Sequence, residues 1–190
     1  FMCNNSLNEC KDKFDSLFSL FTINRLYQGI RFLYSKNLIH RDLKPKNILL
    51  DNNFIPYISD FETIRHPDKN EQITNNIGSI LYSSPEQDDG DYTSFPTDIY
   101  SFGLIIHFLY KKNHLHSLNP YEKNLNRTKI KIKNSEEKIY SKNIEKLFMS
   151  CIKTSPEKRP NHNEIKSMIV KEINTFDFFK GDLSPFTIIN

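Results

Sequence analysis

The chain has 190 residues, 37% of them hydrophobic and 26% charged, with a net charge of +3. That length and balance suit one packed soluble domain, and so weak a charge argues against nucleic acid or an anionic membrane as the main partner. The longest apolar stretch, about Phe102 to Tyr110, is interrupted by His107 and is too short to span a bilayer.

The segment from about Phe14 to Ser35 reads as helix. Phe14, Leu17, Phe18 and Phe21 follow the i, i+3, i+4, i+7 rule, and Ile23, Leu26, Tyr27, Ile30 and Tyr34 repeat it in a shifted phase. The shift predicts a break near Phe21–Thr22, with Asn37 as the C-terminal stop. Ahead of the helix stands a short polar lead. Ile48 to Leu50 and Ile55 to Ile58 flank the turn signal Asp51-Asn52-Asn53 and predict a small β-hairpin. Residues 60–95 are polar and irregular, the kind of long loop that carries function. Thr97 to Lys112 is apolar on nearly every side, so it predicts a buried central helix capped by Thr97 behind Pro96.

Residues 113–140 are rich in lysine and asparagine, with "KIKIK" at Lys129–Lys133 reading as a solvated edge. His114 and His116 lack a third metal ligand nearby, and His107 reads as a core histidine. Ser141 to Lys153 is amphipathic, with Ile144, Leu147, Phe148, Cys151 and Ile152 on one face. Asn161 to Ile173 is a further helix with Ile165, Met168 and Ile169 inward. Residues 174–190 read as an extended tail. Three cysteines without a C-x-x-C pattern give neither a disulfide framework nor a zinc site and point to a reducing, cytoplasmic setting.

One segment carries chemistry. "LIHRDLKPKNILLD", Leu38 to Asp51, contains His40-Arg41-Asp42-Leu43 and then Asn47, which fits the protein-kinase catalytic loop H-R-D-L-x-x-x-N. Asp60-Phe61 follows and resembles the metal-binding D-F-G turn. "GSILYSSPE", Gly78 to Glu86, resembles the end of the activation segment. "TDIYSFGLII" resembles the start of the large central helix, and "CIKTSPEKRP", Cys151 to Pro160, resembles the C-terminal arginine motif. In order, these landmarks cover about Ile23 to Ile173. The chain therefore resembles the C-terminal lobe of a eukaryotic protein kinase, over residues 1–173, with a catalytic loop at 40–47 and an activation segment at 60–86. "DIYSFG" and "C…P…RP" look most like the tyrosine-kinase-like branch, and Lys44 is its serine/threonine-type residue.

The resemblance implies a fold that is mainly α with a small β-hairpin. It implies transfer of the ATP γ-phosphate to a protein hydroxyl, with ATP and Mg2+ as cofactors and a protein as substrate. Phosphoryl transfer depends on positioning and charge neutralisation, and protein kinases are its standard worked example. By resemblance, Asp42 accepts the substrate proton, Lys44 reaches the transferring phosphate, Asn47 and Asp60 hold magnesium, and Leu49 lies under the adenine. His40 and Phe61 pack beneath the loop, Asp98 bonds backbone amides of the catalytic loop, and Glu86 pairs with Arg159. Arg41 implies regulation by a phosphate on the activation segment, with Thr74 and Ser79 as candidate sites.

Two departures bear on activity. Glu62 stands where the family has glycine, which puts the turn's geometry and metal affinity in question. Only Gly29 precedes Asp42, so the Gly-rich loop, the strand lysine and its helix glutamate have no counterpart ahead of the catalytic loop. The expectation is a partial kinase domain, weakly active or inactive alone, whose N-terminal lobe lies upstream in a longer product. The alternative is a pseudokinase or truncated lobe serving as a binding scaffold.

Overall fold

The computed structural model describes residues 5–67, 81–90, 93–112 and 141–175. Strand β1 (Asn5–Ser6) precedes helix α1 (Ser16–Ser35). Strands β2 (Ile48–Leu50) and β3 (Pro56–Ile58) follow, then the short helix α2 (Pro85–Asp88), the central helix α3 (Phe95–Lys111), α4 (Lys142–Cys151) and α5 (His162–Ile173). The fold is mainly helical with a small antiparallel sheet.

Helix α1 runs unbroken through Phe21–Thr22. The expected break reflects two apolar faces rather than two helices. Leu20, Ile23, Leu26, Tyr27, Ile30 and Leu33 form one continuous buried stripe, whereas Leu17 is exposed and Phe18 and Phe21 are half-buried. Asp15 caps the start by accepting from the Phe18 amide at 2.7 Å. At the other end Asn37 adopts φ 56°, and its N–H and that of Leu38 return to the carbonyls of Tyr34 and Leu33. That is a Schellman stop with asparagine in the left-handed position.

The predicted hairpin forms, with Leu49 opposite Tyr57 and Ile48 opposite Ile58. Asp51 Oδ1 accepts from the amides of Asn53 and Ile55, both at 2.8 Å, and closes its turn. The sheet is larger than the sequence suggested. The lead before α1 adds β1 beside β2, and Leu7, Cys10 and Phe14 of that lead are buried. Two-residue strands carry no readable alternation, so the extra strand leaves no pattern in the sequence.

Helix α3 packs against α1, α4 and the 3-10 turn Pro156–Lys158. It begins two residues earlier than expected. Ser94 is its N-cap, Pro96 sits within the first turn, and Thr97 closes a capping box by accepting from the Ser94 amide. Proline at that position forfeits an N–H that has no partner in a first turn anyway. Gly103 lies against α4 so closely that a Cβ there would stand 2.7 Å from Cys151 Cβ. His107 is buried beside the Phe148 ring. Ser141 and Asn161 cap α4 and α5, and Ile144, Leu147, Phe148, Cys151, Ile165 and Ile169 join the core. Cys10 and Cys151 are buried free thiols. No helix among the described residues is long and apolar enough to cross a membrane. "KIKIK", His114 and His116 lie outside the described residues, as does the tail beyond Thr175.

Candidate functional site

The loop between α1 and β2 bends sharply. Arg41 takes φ 68°, a left-handed conformation that is uncommon for a residue with a Cβ. Strain of this kind persists where surrounding bonds over-determine it, and here they do. Asp98, at the buried start of α3, accepts from the His40 amide through Oδ2 at 2.8 Å and from the Arg41 amide through Oδ1 at 2.9 Å. Thr63 Oγ1 donates to the His40 carbonyl at 2.7 Å, and Gln87 Nε2 donates to the Arg41 carbonyl at 2.8 Å. Arg41 Nε in turn donates to the Thr63 carbonyl. Burial pushes Asp98 up to about 6, partly offset by these two amides and by the Arg41 charge.

His40 is fully buried beneath the loop. Its Nε2 faces the Ser59 carbonyl at 3.0 Å, an acceptor only, so that nitrogen carries the proton. Its Nδ1 accepts from the Asp42 amide. Burial holds the imidazole below its ordinary range, although the Ser59 carbonyl and the Asp42 and Asp60 carboxylates pull the other way.

Asp42 is the centre of the polar group. Lys44 Nζ donates to its Oδ2 at 2.6 Å, and Asn47 Nδ2 donates to the same oxygen at 3.0 Å and to the Asp42 carbonyl at 2.9 Å. The Asn47 amide is thereby oriented, with Oδ1 turned away from Asp42. Asn47's own carbonyl accepts from Ser59 N and Oγ, which fixes the residue beside Asp60. Asp60 is exposed, in a left-handed conformation with φ 63°. Asp42 and Asn47 are thus joined directly, and the Ser59–Asn47 bonds bring the chain leading into Asp60 alongside Asn47. Leu49, half-buried on β2, lies between Ser6 and Tyr57 in the sheet.

The donor set has the chemistry of a hard cation site. A carboxylate and an amide oxygen suit magnesium, which is normally bound by one or two carboxylates plus phosphate and water. Among the described residues no group of three or more His, Cys, Asp or Glu is placed to hold a metal alone.

Glu62 occupies a 3-10 turn, Phe61–Thr63, and does not take a positive φ. The left-handed residue of this turn is Asp60, so the backbone here places no demand for glycine at position 62. Phe61 departs from its expected place. Its ring meets His40 edge-on at 5.8 Å but is 55% exposed. It borders an apolar groove of about 390 Å³ with Gly29, Phe32, Leu33 and Ile58. One edge of the ring faces His40 and the rest lines the groove, where the described residues beside it come from α1 and β3.

The helical end of the site is tied down by Glu86 and Arg159. The guanidinium reaches Oε1 at 2.6 Å and Oε2 at 2.7 Å, and its other N–H groups donate to the carbonyls of Pro96, Lys153 and Thr154. It also lies over the Tyr100 ring at 5.0 Å. Thr97 Oγ1 donates to Glu86 Oε1 at 3.1 Å. Ser84, which stands where the family has alanine, is the N-cap of α2 in a capping box with Gln87. The Ser-x-x-Gln spacing could have announced that box, but nothing in it announced the reach of Gln87 to Arg41. Thr74 and Ser79 lie outside the described residues.

The family model described as the protein kinase domain matches residues 3–170. Among curated proteins, the chain is 32% identical over 149 residues to a probable LIM domain-containing serine/threonine-protein kinase of Dictyostelium discoideum, covering 75% of this chain and 22% of that protein. It is 31% identical over 180 residues to a putative serine/threonine-protein kinase of Acanthamoeba polyphaga mimivirus, covering 83% and 60% respectively. It is 29% identical over 164 residues to the human serine/threonine-protein kinase Nek10, covering 78% and 14%. The chain thus spans less than two thirds of the length of each of these relatives.

Proposed function

This chain belongs to the protein kinase family, and from that premise we propose that it is the C-terminal, catalytic-loop portion of a serine/threonine kinase of the tyrosine-kinase-like branch. The observation that carries the reading is the polar group around Asp42, in which Lys44 and Asn47 both donate to Oδ2. That arrangement fixes the carboxylate's rotation, as acceptance of a substrate hydroxyl proton requires. Lys44, adjacent to Asp42, offsets charge on the transferring group. Asn47 Oδ1 and the Asp60 carboxylate are the oxygens that would hold magnesium, with the nucleotide's phosphates completing the shell. Magnesium-ATP supplies the phosphoryl group and neutralises its charge. Leu49 offers the apolar surface for the adenine.

Arg41 reads as the link to activation-segment phosphorylation, with Thr74 and Ser79 as the sites. The groove beside Phe61 reads as the seat of an upstream lobe carrying the glycine loop and the phosphate-pairing lysine. A protein is the substrate, and the cytoplasm is the expected setting. The rival reading, a pseudokinase scaffold, rests on Glu62. The ordinary φ at that position weakens it, since the turn is built without glycine.

The test uses the longest product that carries this chain, with Mg2+, ATP and a panel of serine- and threonine-containing proteins. Transfer is expected to depend on Mg2+ and to fall by about 10²–10⁴ in Asp42→Asn, the usual weight of a positioned acid–base group. Transfer no greater than that of the variant would leave the scaffold reading.

A further inference from the structure

We propose that Gln87 is a positioning residue that sets where Asp42 sits, by tethering the Arg41 carbonyl from the start of α2. The proposal deepens the function proposed above and rests on it for its kinetic meaning.

Gln87 is buried and uses both ends of its amide. Oε1 accepts from the Ser84 amide at 3.1 Å, which closes the capping box of α2, while Nε2 donates to the Arg41 carbonyl at 2.8 Å. The peptide that receives this bond joins Arg41 to Asp42. Its carbonyl orientation is therefore the orientation of the bond leading into Asp42. Arg41 is also the strained residue of the loop, at φ 68°. Asp98 holds the amide side of Arg41 and Gln87 holds its carbonyl side, so the two clamp one residue from opposite ends. Asp98 belongs to the central helix. Gln87 belongs to the four-residue helix that follows residues 60–84 and is anchored through Glu86 to Arg159. A displacement of α2 is thus passed to Asp42 through one hydrogen bond. A shift of about 1 Å in a reacting group can cost about 10²-fold in rate.

The chemistry separates the two halves of Gln87. Gln87→Glu keeps an oxygen for the Ser84 amide and places a second oxygen, in place of a donor, against the Arg41 carbonyl. Gln87→Met removes both bonds at similar volume. Ser84→Ala removes the hydroxyl of the capping box and leaves the Gln87–Arg41 bond in place.

Each variant is measured in the longest product carrying this chain for kcat, KM and thermal midpoint, and by amide hydrogen exchange at His40–Asp42. Gln87→Glu and Gln87→Met are expected to lower kcat by about tenfold to a hundredfold with KM nearly unchanged. They should also speed exchange at the Arg41 and Asp42 amides at least tenfold. Ser84→Ala should lower the thermal midpoint without either effect. Gln87→Glu with native kcat and native exchange would overturn the proposal, as would a Ser84→Ala variant that matches it in both. If the native protein transfers no phosphate, the proposed function falls, and the exchange data alone decide the tether. Faster exchange in Gln87→Glu but not in Ser84→Ala upholds it, and equal exchange in both overturns it.

Discussion

Replacing Arg159 with methionine should come close to unfolding the helical body. The guanidinium spends all five of its N–H donors: two on Glu86 and one each on the carbonyls of Pro96, Lys153 and Thr154. Methionine fills much of the volume and supplies none of these donors. Glu86 is left buried without a countercharge from Arg159, held by the Thr97 and Ser84 hydroxyls and a backbone hydrogen bond, and stranding one member of such a pair costs about 3–5 kcal/mol. Lys153 and Thr154 are exposed, so water can reach their carbonyls. Pro96 is only half-exposed, and its orphaned carbonyl adds about 1 kcal/mol. The sum, about 4–6 kcal/mol, is comparable with the whole stability of a small domain, about 5–15 kcal/mol.

The assay is urea denaturation across pH, with Arg159→Lys as the milder variant should Arg159→Met fail to accumulate. Lysine keeps the charge but loses the planar fork, so an intermediate loss is expected. The sign of the pH dependence is diagnostic. In the native chain burial raises the Glu86 pKa, but the hydrogen bonds and charge of Arg159 outweigh it and hold the carboxyl below its ordinary value. Its contribution is therefore present above that ordinary value and is lost as pH falls through the depressed folded one. Without Arg159 a backbone hydrogen bond and the Ser84 side chain still lower the carboxyl, but burial is the largest influence, so Glu86 is expected to bind its proton more tightly folded than unfolded and mild acid should stabilise the variant. Adding Glu86→Gln to Arg159→Met should recover at least about 2 kcal/mol, the coupling expected of groups in one network. Simple additivity of the two substitutions, or a loss below about 1 kcal/mol in Arg159→Met, would refute the reasoning.

Two further outcomes are expected. Gly103→Ala gains about 1 kcal/mol of helix propensity, but its Cβ would meet Cys151 Cβ at 2.7 Å and Ile152 Cγ2 at 2.8 Å. Overpacking typically costs about 1–3 kcal/mol and should win here. Denaturant titration should therefore show a net loss, where an unhindered helix glycine would show a gain. Asp98→Asn keeps an acceptor for one of the two loop amides and turns an N–H2 toward the other, so a loss of about 1–3 kcal/mol at pH 7 is expected. Because burial pushes Asp98 up to about 6, the native chain should lose stability from this group as pH rises from about 4 to 6. The unfolded carboxyl ionises first in that window. The slope from this group should vanish in Asp98→Asn, and an unchanged pH profile would count against the assignment.

Much of this architecture was legible because it rests on local pattern. Helices α4 and α5 follow from apolar periodicity, α3 from a run apolar on nearly every side, and the hairpin from two short runs around Asp51-Asn52-Asn53. What escaped was set by tertiary context. The apparent break in α1 was a second face of one helix, since Phe18 and Phe21 pack on its flank while Leu20 to Leu33 form the buried stripe. Strand β1 is two residues long, too short to show a period, and exists because β2 offers an edge to Leu7 and its neighbours. Phe61 shows the opposite error. Its motif suggested a packed ring, but packing depends on what covers it, and among the described residues α1 and β3 leave the ring largely exposed.

The site divides in the same way. His40, Asp42, Lys44 and Asn47 lie within eight positions, so the motif names them together, and the structure shows why the spacing matters. Lys44 and Asn47 reach back across two and five residues to one oxygen of Asp42. The groups that hold this loop in place come from Thr63, Gln87 and Asp98, which lie in three separate segments. They act on backbone N–H and C=O, which every residue shares, so the loop's own sequence records nothing of them. Arg41 can keep its left-handed backbone because those bonds together exceed the strain, and loss of any one should be felt first at the next residue, Asp42. The Asp42 carboxylate is thus fixed twice. Its neighbours in sequence fix its rotation, and distant polar side chains fix the peptide that carries it.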